Sequence, residues 1–187
     1  MRKNICIIYY NERCYSSKLA EHIKAGVEAE GVTAISYDVS YISQNIGLLD
    51  QADAIIFGSP TYFGSVAAEM KKFMDSTVAV WDNKRWNNKI AAGFTHSSAL
   101  SGDKLSALMT MFVFAAQHGM LWAGLELRAC EKVAGYDLEL NQLGSWVGLM
   151  AQSPNKGDSP DTNLSDLQTA KYFGARIALM TKKFNFN

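Results

Sequence analysis

Apolar and polar positions change period repeatedly along this chain, and the changes mark out its elements. Residues 4–10 form a short, β-rich apolar run that suits a strand buried on both faces. Over 17–30, Leu19, Ile23 and Val27 recur at i+4 spacing, which predicts a helix stopped by Gly31. Residues 33–38 alternate weakly and predict an edge-side strand, whereas 39–50 predict loop or irregular helix. A third strand is expected over 54–58. The helix after it, 65–81, carries Val66, Met70, Phe73, Met74 and Trp81 on one side. Residues 90–95 predict a fourth strand, following a polar segment at 82–89. Leu105, Leu108, Met109, Phe112 and Ala116 predict a helix over 102–118, capped by Gly119, with a fifth strand over 120–125. Residues 126–163 show no clear period. Their Trp146, Val147, Leu149 and Met150 would be costly to leave in water, so a buried or subunit-contacting role is expected. A closing helix over 164–184 carries Ala170, Phe173, Ile177, Met180 and Phe184.

Strands that alternate with helices predict an α/β fold: a doubly wound, five-stranded parallel sheet with helices on both faces. A chain of 187 residues is expected to form one domain over 1–187 and to bury about 70% of its unfolded surface. Lys plus Arg equals Asp plus Glu at 18 each, so no basic excess suggests a nucleic-acid partner. The three cysteines, Cys6, Cys14 and Cys130, are scattered and odd in number. They predict no metal site and fit a reduced, cytoplasmic setting. No run approaches the roughly 20 apolar residues of a membrane span, so a soluble protein is expected.

In such a sheet the turns after strands one, three and four meet at one end, where open α/β folds hold ligands. The first, 11–17, is polar and leads into a helix N-terminus, which favours an anion. Ser16 and Ser17 read equally as helix caps or as phosphate donors. The second, 59–65, holds Pro60 between Gly58 and Gly64, with Tyr62 and Phe63 offering flat apolar surface. The third, Thr95-His-Ser-Ser-Ala-Leu-Ser-Gly102, places hydroxyls and an imidazole at a strand end. Together the three fit a phosphorylated planar cofactor, and flavin mononucleotide (FMN) has that shape.

The run Gly58-Ser-Pro-Thr-Tyr-Phe-Gly-Ser-Val-Ala-Ala-Glu-Met-Lys-Lys-Phe-Met-Asp75 resembles the flavin loop of flavodoxin-like quinone reductases, often called tryptophan-repressor-binding proteins. His118-Gly119-Met120 resembles their H-G-M, Trp81 falls where they carry a tryptophan, and 167–176 is similar to their last helix. The resemblance implies a flavodoxin-like fold with FMN as cofactor and NAD(P)H as transient electron donor. On matching positions it implies that Asn11, Arg13, Cys14, Tyr15 and Ser16 cradle the phosphate. Pro60, Thr61, Tyr62, Phe63 and Gly64 would hold the ring, and Thr95, Ser97, Ser98 and Gly102 would complete the site. His118 would act catalytically, reaching the pyrimidine side of the ring or a bound substrate, and Trp81 would line the substrate side. The first loop departs from the family's usual S-x-Y-G-[HN]-[TI], with Cys14 in place of a glycine and Glu12 beside the expected phosphate.

The implied activity is an FMN-dependent oxidoreductase that moves two electrons from NAD(P)H to quinones or similar acceptors. Homodimers or homotetramers are implied with it. The alternative is a flavodoxin-type electron carrier, or a regulatory FMN-binding protein, without a substrate of its own. Cys14 does not begin the C-x5-R of the low-mass phosphatases, because Ala20 stands where the arginine would be. Neither a P-loop nor a G-x-G-x-x-G signature occurs.

Overall fold

The computed structural model describes residues 3–11, 15–154 and 163–184. Strands β1 (Asn4–Tyr9), β2 (Thr33–Asp38), β3 (Ala54–Tyr62) and β5 (Ile90–Ser97) run parallel in the order β2-β1-β3-β5. The fifth position is shared. β6 (Leu121–Trp122) pairs with Ile90 and Ala91, and β7 (Leu149–Gln152) pairs with Phe94 to Ser97. Between them residues 123–148 leave the sheet and return to it. The doubly wound α/β architecture with five strand positions is therefore present.

Period-2 alternation sends each strand's side chains to two separate cores. Ile5, Ile7, Ala54, Ile56, Ala92 and Phe94 pack against α1 (Tyr15–Ala29) and α6 (Leu164–Lys183). Cys6, Ile8, Ile55, Phe57 and Ala91 pack on the other face, against α3 (Ala68–Asp75) and α5 (Lys104–Gln117). α1 and α6 approach so closely that a Cβ on Gly26 or Gly174 would strike the opposite backbone. A side chain there would force the helices apart and open the core beneath them.

Three expectations are corrected here. Residues 59–62 are not loop: β3 continues through Tyr62 and turns into β4 (Ser65–Val66), an antiparallel hairpin. The helix expected over 65–81 is therefore two shorter ones, α3 and α4 (Val78–Asp82), while α2 (Val39–Ile42) and a 3-10 turn at Ile46–Gln51 fill the stretch without periodicity. Residues 126–163 also contain a strand, β7. The inserted excursion is pinned rather than loose. Asn141 N–H donates to Thr169 Oγ1 (3.0 Å), Asn141 Nδ2 to Leu127 O (2.9 Å), and Arg176 Nε to Gly124 O (2.8 Å). Leu149 is buried as expected, but Trp146 stands exposed. No helix among the described residues is long and apolar enough to cross a membrane.

Candidate functional site

The parallel strands bring their carboxyl ends to one rim, and three turns meet there. Ser16, in the first turn of α1, lies with its Oγ 2.9 Å from His96 Nε2 on β5. His96 in turn pairs in register with Pro60 of β3. The Tyr15 ring meets the His96 ring edge-on, with centroids 5.2 Å apart. The start of α1 is supported by Asn11, whose Oδ1 accepts from Ser17 N–H (3.3 Å). Ser16 is thus no N-cap; its hydroxyl faces the sheet. Arg13 and Cys14 lie outside the described residues.

β3 carries the second group past the end of β1. At Phe63 and Gly64 the hairpin turns with φ of 47° and 72°, the two left-handed residues of a tight connection. Glycine suits the second; Phe63 occupies a region that side chains resist, and its ring is fully exposed. Tyr62 beside it is partly exposed, so the rim presents a flat aromatic surface. Gly58 has a different reason to be glycine from the turn expected there: it lies within the strand, and a Cβ would collide with the Phe94 ring.

Thr95 needs a correction. Its exposure is 0%, and its hydroxyl donates to Ser59 O (2.7 Å), so Thr61 Oγ1 must be the donor in their 2.7 Å contact. Thr95 therefore braces β3 against β5 from the opposite face and cannot touch a ligand at the rim. Pro60 and Thr61 are buried within the same strand pair, which leaves Tyr62, Phe63 and Gly64 as the surface of this segment.

The third turn, after β5, is held by a buried cation that the sequence reading missed. Lys104 Nζ donates to Ala99 O (2.6 Å), Leu100 O (3.0 Å) and Ser97 Oγ (3.3 Å). Gly102, at φ 54°, lies so close to Ser97 Oγ that a side chain would displace it. Ser98 is exposed, and its carbonyl accepts from Gln152 Nε2 (2.9 Å). Asp166 Oδ2 accepts from Gln152 N–H (2.7 Å). Burial raises the Asp166 carboxyl to about 6 and, with the Lys104 charge, lowers the His96 imidazole to about 4. His96 is therefore neutral at pH 7. Burial raises the Tyr15 hydroxyl too, and the Asp166 charge adds to the effect. Tyr15 Oη and His96 Nδ1 are both buried without a hydrogen-bond partner.

Lys104 and Asp166 each left a signal. Lys104 shares the buried register of Ala107, Leu108, Met111 and Ala115, and Asp166 that of Ala170, Phe173 and Ile177. A charge in an apolar stripe needs partners when buried.

His118 is not at this rim, contrary to expectation. α5 starts beside the carboxyl end of β5 and runs back, so His118 ends it near the start of that strand, where Asn88 N–H donates to Gly119 O (2.9 Å). There the imidazole packs on Trp86 and Phe114, with centroids at 4.8 and 4.7 Å, and its Nε2 lies 2.9 Å from Thr77 Oγ1. Trp81, half-exposed, lines the same groove of about 870 Å³ with Met74, Val78, Met109 and Val113. Trp86, five residues on, is a fully buried core residue.

The comparisons agree with this geometry. The NADPH-dependent FMN reductase family matches residues 36–127. Flavodoxin FldP of Pseudomonas aeruginosa is 36% identical over 92% of this chain and 93% of its own length. An NAD(P)H dehydrogenase (quinone) of Archaeoglobus fulgidus is 36% identical over 72% of this chain and 62% of its own. The crystal structure of a flavodoxin, WrbA-like protein from Agrobacterium tumefaciens superposes with a TM-score of 0.74 at 31% identity, covering 97% of this chain and 98% of that one.

Proposed function

The chain belongs to the WrbA-type, flavodoxin-like family, and from that premise we propose that it is an FMN-dependent oxidoreductase moving two electrons from NAD(P)H to quinones or similar acceptors. The observation that carries the reading is the convergence of three turns on one rim: Ser16 bonded to His96, and His96 opposite Pro60. FMN, when bound, supplies the redox chemistry.

The residues present fit that cofactor. The Tyr15 hydroxyl is buried with no partner, so hydrogen-bonding capacity is left unspent beside the start of α1. Asn11 and Ser16, with Arg13 and Cys14 beside them in the chain, would hold the phosphate where the helix end favours an anion. Tyr62, Phe63 and Gly64 would take the ring against an aromatic face and a tight turn. Ser97, Ser98 and Gly102 would close the far side, in a loop that Lys104 holds in shape. Such a cradle excludes water from one face and leaves the other open to donor and acceptor.

The groove at Trp81 and His118 supports association with a second copy of this chain, as a homodimer or homotetramer. Val78, Trp81, Met109 and Val113 are exposed apolar side chains along it. His118 and Trp81 would then serve a neighbour's ring rather than their own. Among the described residues Cys6, buried, and Cys130, exposed, are free thiols, which supports a reduced, cytoplasmic setting.

Two measurements test the reading. Purified protein should show flavin absorption, or acquire it with FMN, and should reduce benzoquinone with NADH or NADPH. Protein that is colourless and cannot be reconstituted would sink the proposal. The resemblance to a flavodoxin over 92% of the chain favours a second reading, an electron carrier. Flavin binding with negligible turnover in the absence of a partner reductase would select it.

A further inference from the structure

His96 sits on β5 facing α1, in line with Ala92 and Phe94, and touches the first turn of that helix through two residues. A neutral imidazole carries one N–H, on either nitrogen. With the proton on Nδ1, a buried N–H would face nothing, because that atom has no partner. The Ser16 proton would also be consumed by Nε2. With the proton on Nε2, His96 donates to Ser16 Oγ and buries only a bare lone pair on Nδ1. Orphaned buried N–H groups are rarer than under-satisfied acceptors.

The molecule holds an internal reference for this choice. Thr77 Oγ1 donates its single proton to Met74 O (2.7 Å), so the 2.9 Å contact with His118 requires Nε2–H as donor. His118 Nδ1 is then a buried bare lone pair as well, and it too lacks a partner. The fold accepts one such arrangement outright. At His96 the same tautomer has a different consequence, because Ser16 has no second acceptor among the described residues. Its hydroxyl proton remains to be donated.

We propose that His96 is a positioning residue for the cofactor's phosphate: by donating from Nε2 to Ser16 Oγ, it leaves the Ser16 hydroxyl proton free for an anion at the start of α1. The inference rests on the FMN reading. It makes Ser16 a donor toward the phosphate rather than a brace for the sheet, and it accounts for an imidazole on a strand face otherwise carrying Ala92 and Phe94. The other charged and titratable groups around it fit this role. Tyr15 is neutral, and Lys104 is bound to the loop after β5.

Long-range 1H–15N NMR of the imidazole should show His96 protonated at Nε2; protonation at Nδ1 would overturn the proposal without any ligand present. Apoprotein should then be titrated with FMN and with riboflavin, which lacks the phosphate. His96→Leu should weaken FMN binding roughly 10-fold or more, since a hydrogen bond to a charged group is at stake, and leave riboflavin within about twofold. His96→Gln, whose amide can still donate, should recover most of the loss. Ser16→Ala should weaken FMN similarly, and the double variant Ser16→Ala with His96→Leu should lose no more than either alone. Equal losses for FMN and riboflavin, additive losses, or full FMN affinity in His96→Leu would each overturn it. If His96→Leu does not fold, Ser16→Ala and His96→Gln still decide between these outcomes. Wild-type protein that binds neither flavin would reject the FMN reading itself, and this inference with it.

Discussion

His96 and His118 make nearly the same local contacts at opposite ends of the sheet. Each sets Nε2 2.9 Å from a hydroxyl oxygen, buries Nδ1 without a partner, and has its pKa lowered by burial. The difference lies in the hydroxyl. Thr77 has spent its proton on Met74 O inside a helix end, whereas Ser16 has no such acceptor and stands where three turns converge. Side-chain chemistry alone therefore does not separate a structural histidine from one at a binding site. Position relative to the carboxyl rim does, together with what the hydroxyl has left to give.

The largest break in the comparison should come at the amino end. Trp86→Ala removes the ring on which His118 lies and leaves a cavity among Phe73, Phe114 and His118. A loss of about 3–5 kcal/mol is expected in urea unfolding, with FMN affinity of the folded fraction within about twofold. Abolished flavin binding at unchanged stability would reverse the two roles.

Next comes the acid response at the rim. His96 takes up its proton below 6.5 when unfolded but only near about 4 when folded, so its contribution falls as pH drops between those values. Asp166 moves the other way: 3.8 when unfolded and about 6 when folded, so its contribution grows as pH drops through that window. The two oppose each other at about 3 kcal/mol each and nearly cancel. Relative to wild type, Asp166→Asn should therefore lose about 3 kcal/mol on going from pH 7 to pH 4, and His96→Gln should gain about as much. Denaturant titrations at the two pH values check this, and parallel curves for all three proteins would contradict it. His118→Asn should cost about 1–3 kcal/mol, read in urea unfolding, by leaving its packing and the Thr77 contact unfilled. Gly64→Ala, at φ 72°, should cost about 1 kcal/mol, read as a small drop in melting temperature.

Much of the fold was legible because each strand or helix repeats its own period. The strands at 4–9, 33–38 and 90–97 and the long helices appeared within a few residues of their predicted bounds. Residues 59–62 misled because Gly58 and Pro60 punctuate like a loop. In the sheet, Gly58 makes room for Phe94, and Pro60 lies just beyond the end of β1, where no strand on that side needs its missing N–H. The rim was legible as three polar turns, and Ser16, Tyr62 and Ser98 do gather there. Thr95 was misassigned because strand alternation turns it to the opposite face from His96, one residue on. Lys104 and Asp166 were passed over because their partners come from other segments.

The sequence by itself determined the alternation of strand and helix, the two-faced core and the turn chemistry at the rim. All three are properties of neighbouring residues. Only the tertiary structure decided that His96 lies at the carboxyl rim and His118 at the opposite end of the sheet, that Thr95 is a brace, and that a buried lysine shapes the third turn. Those outcomes depend on which end of the sheet a helix reaches and which distant atoms it meets there, and no local period carries that information.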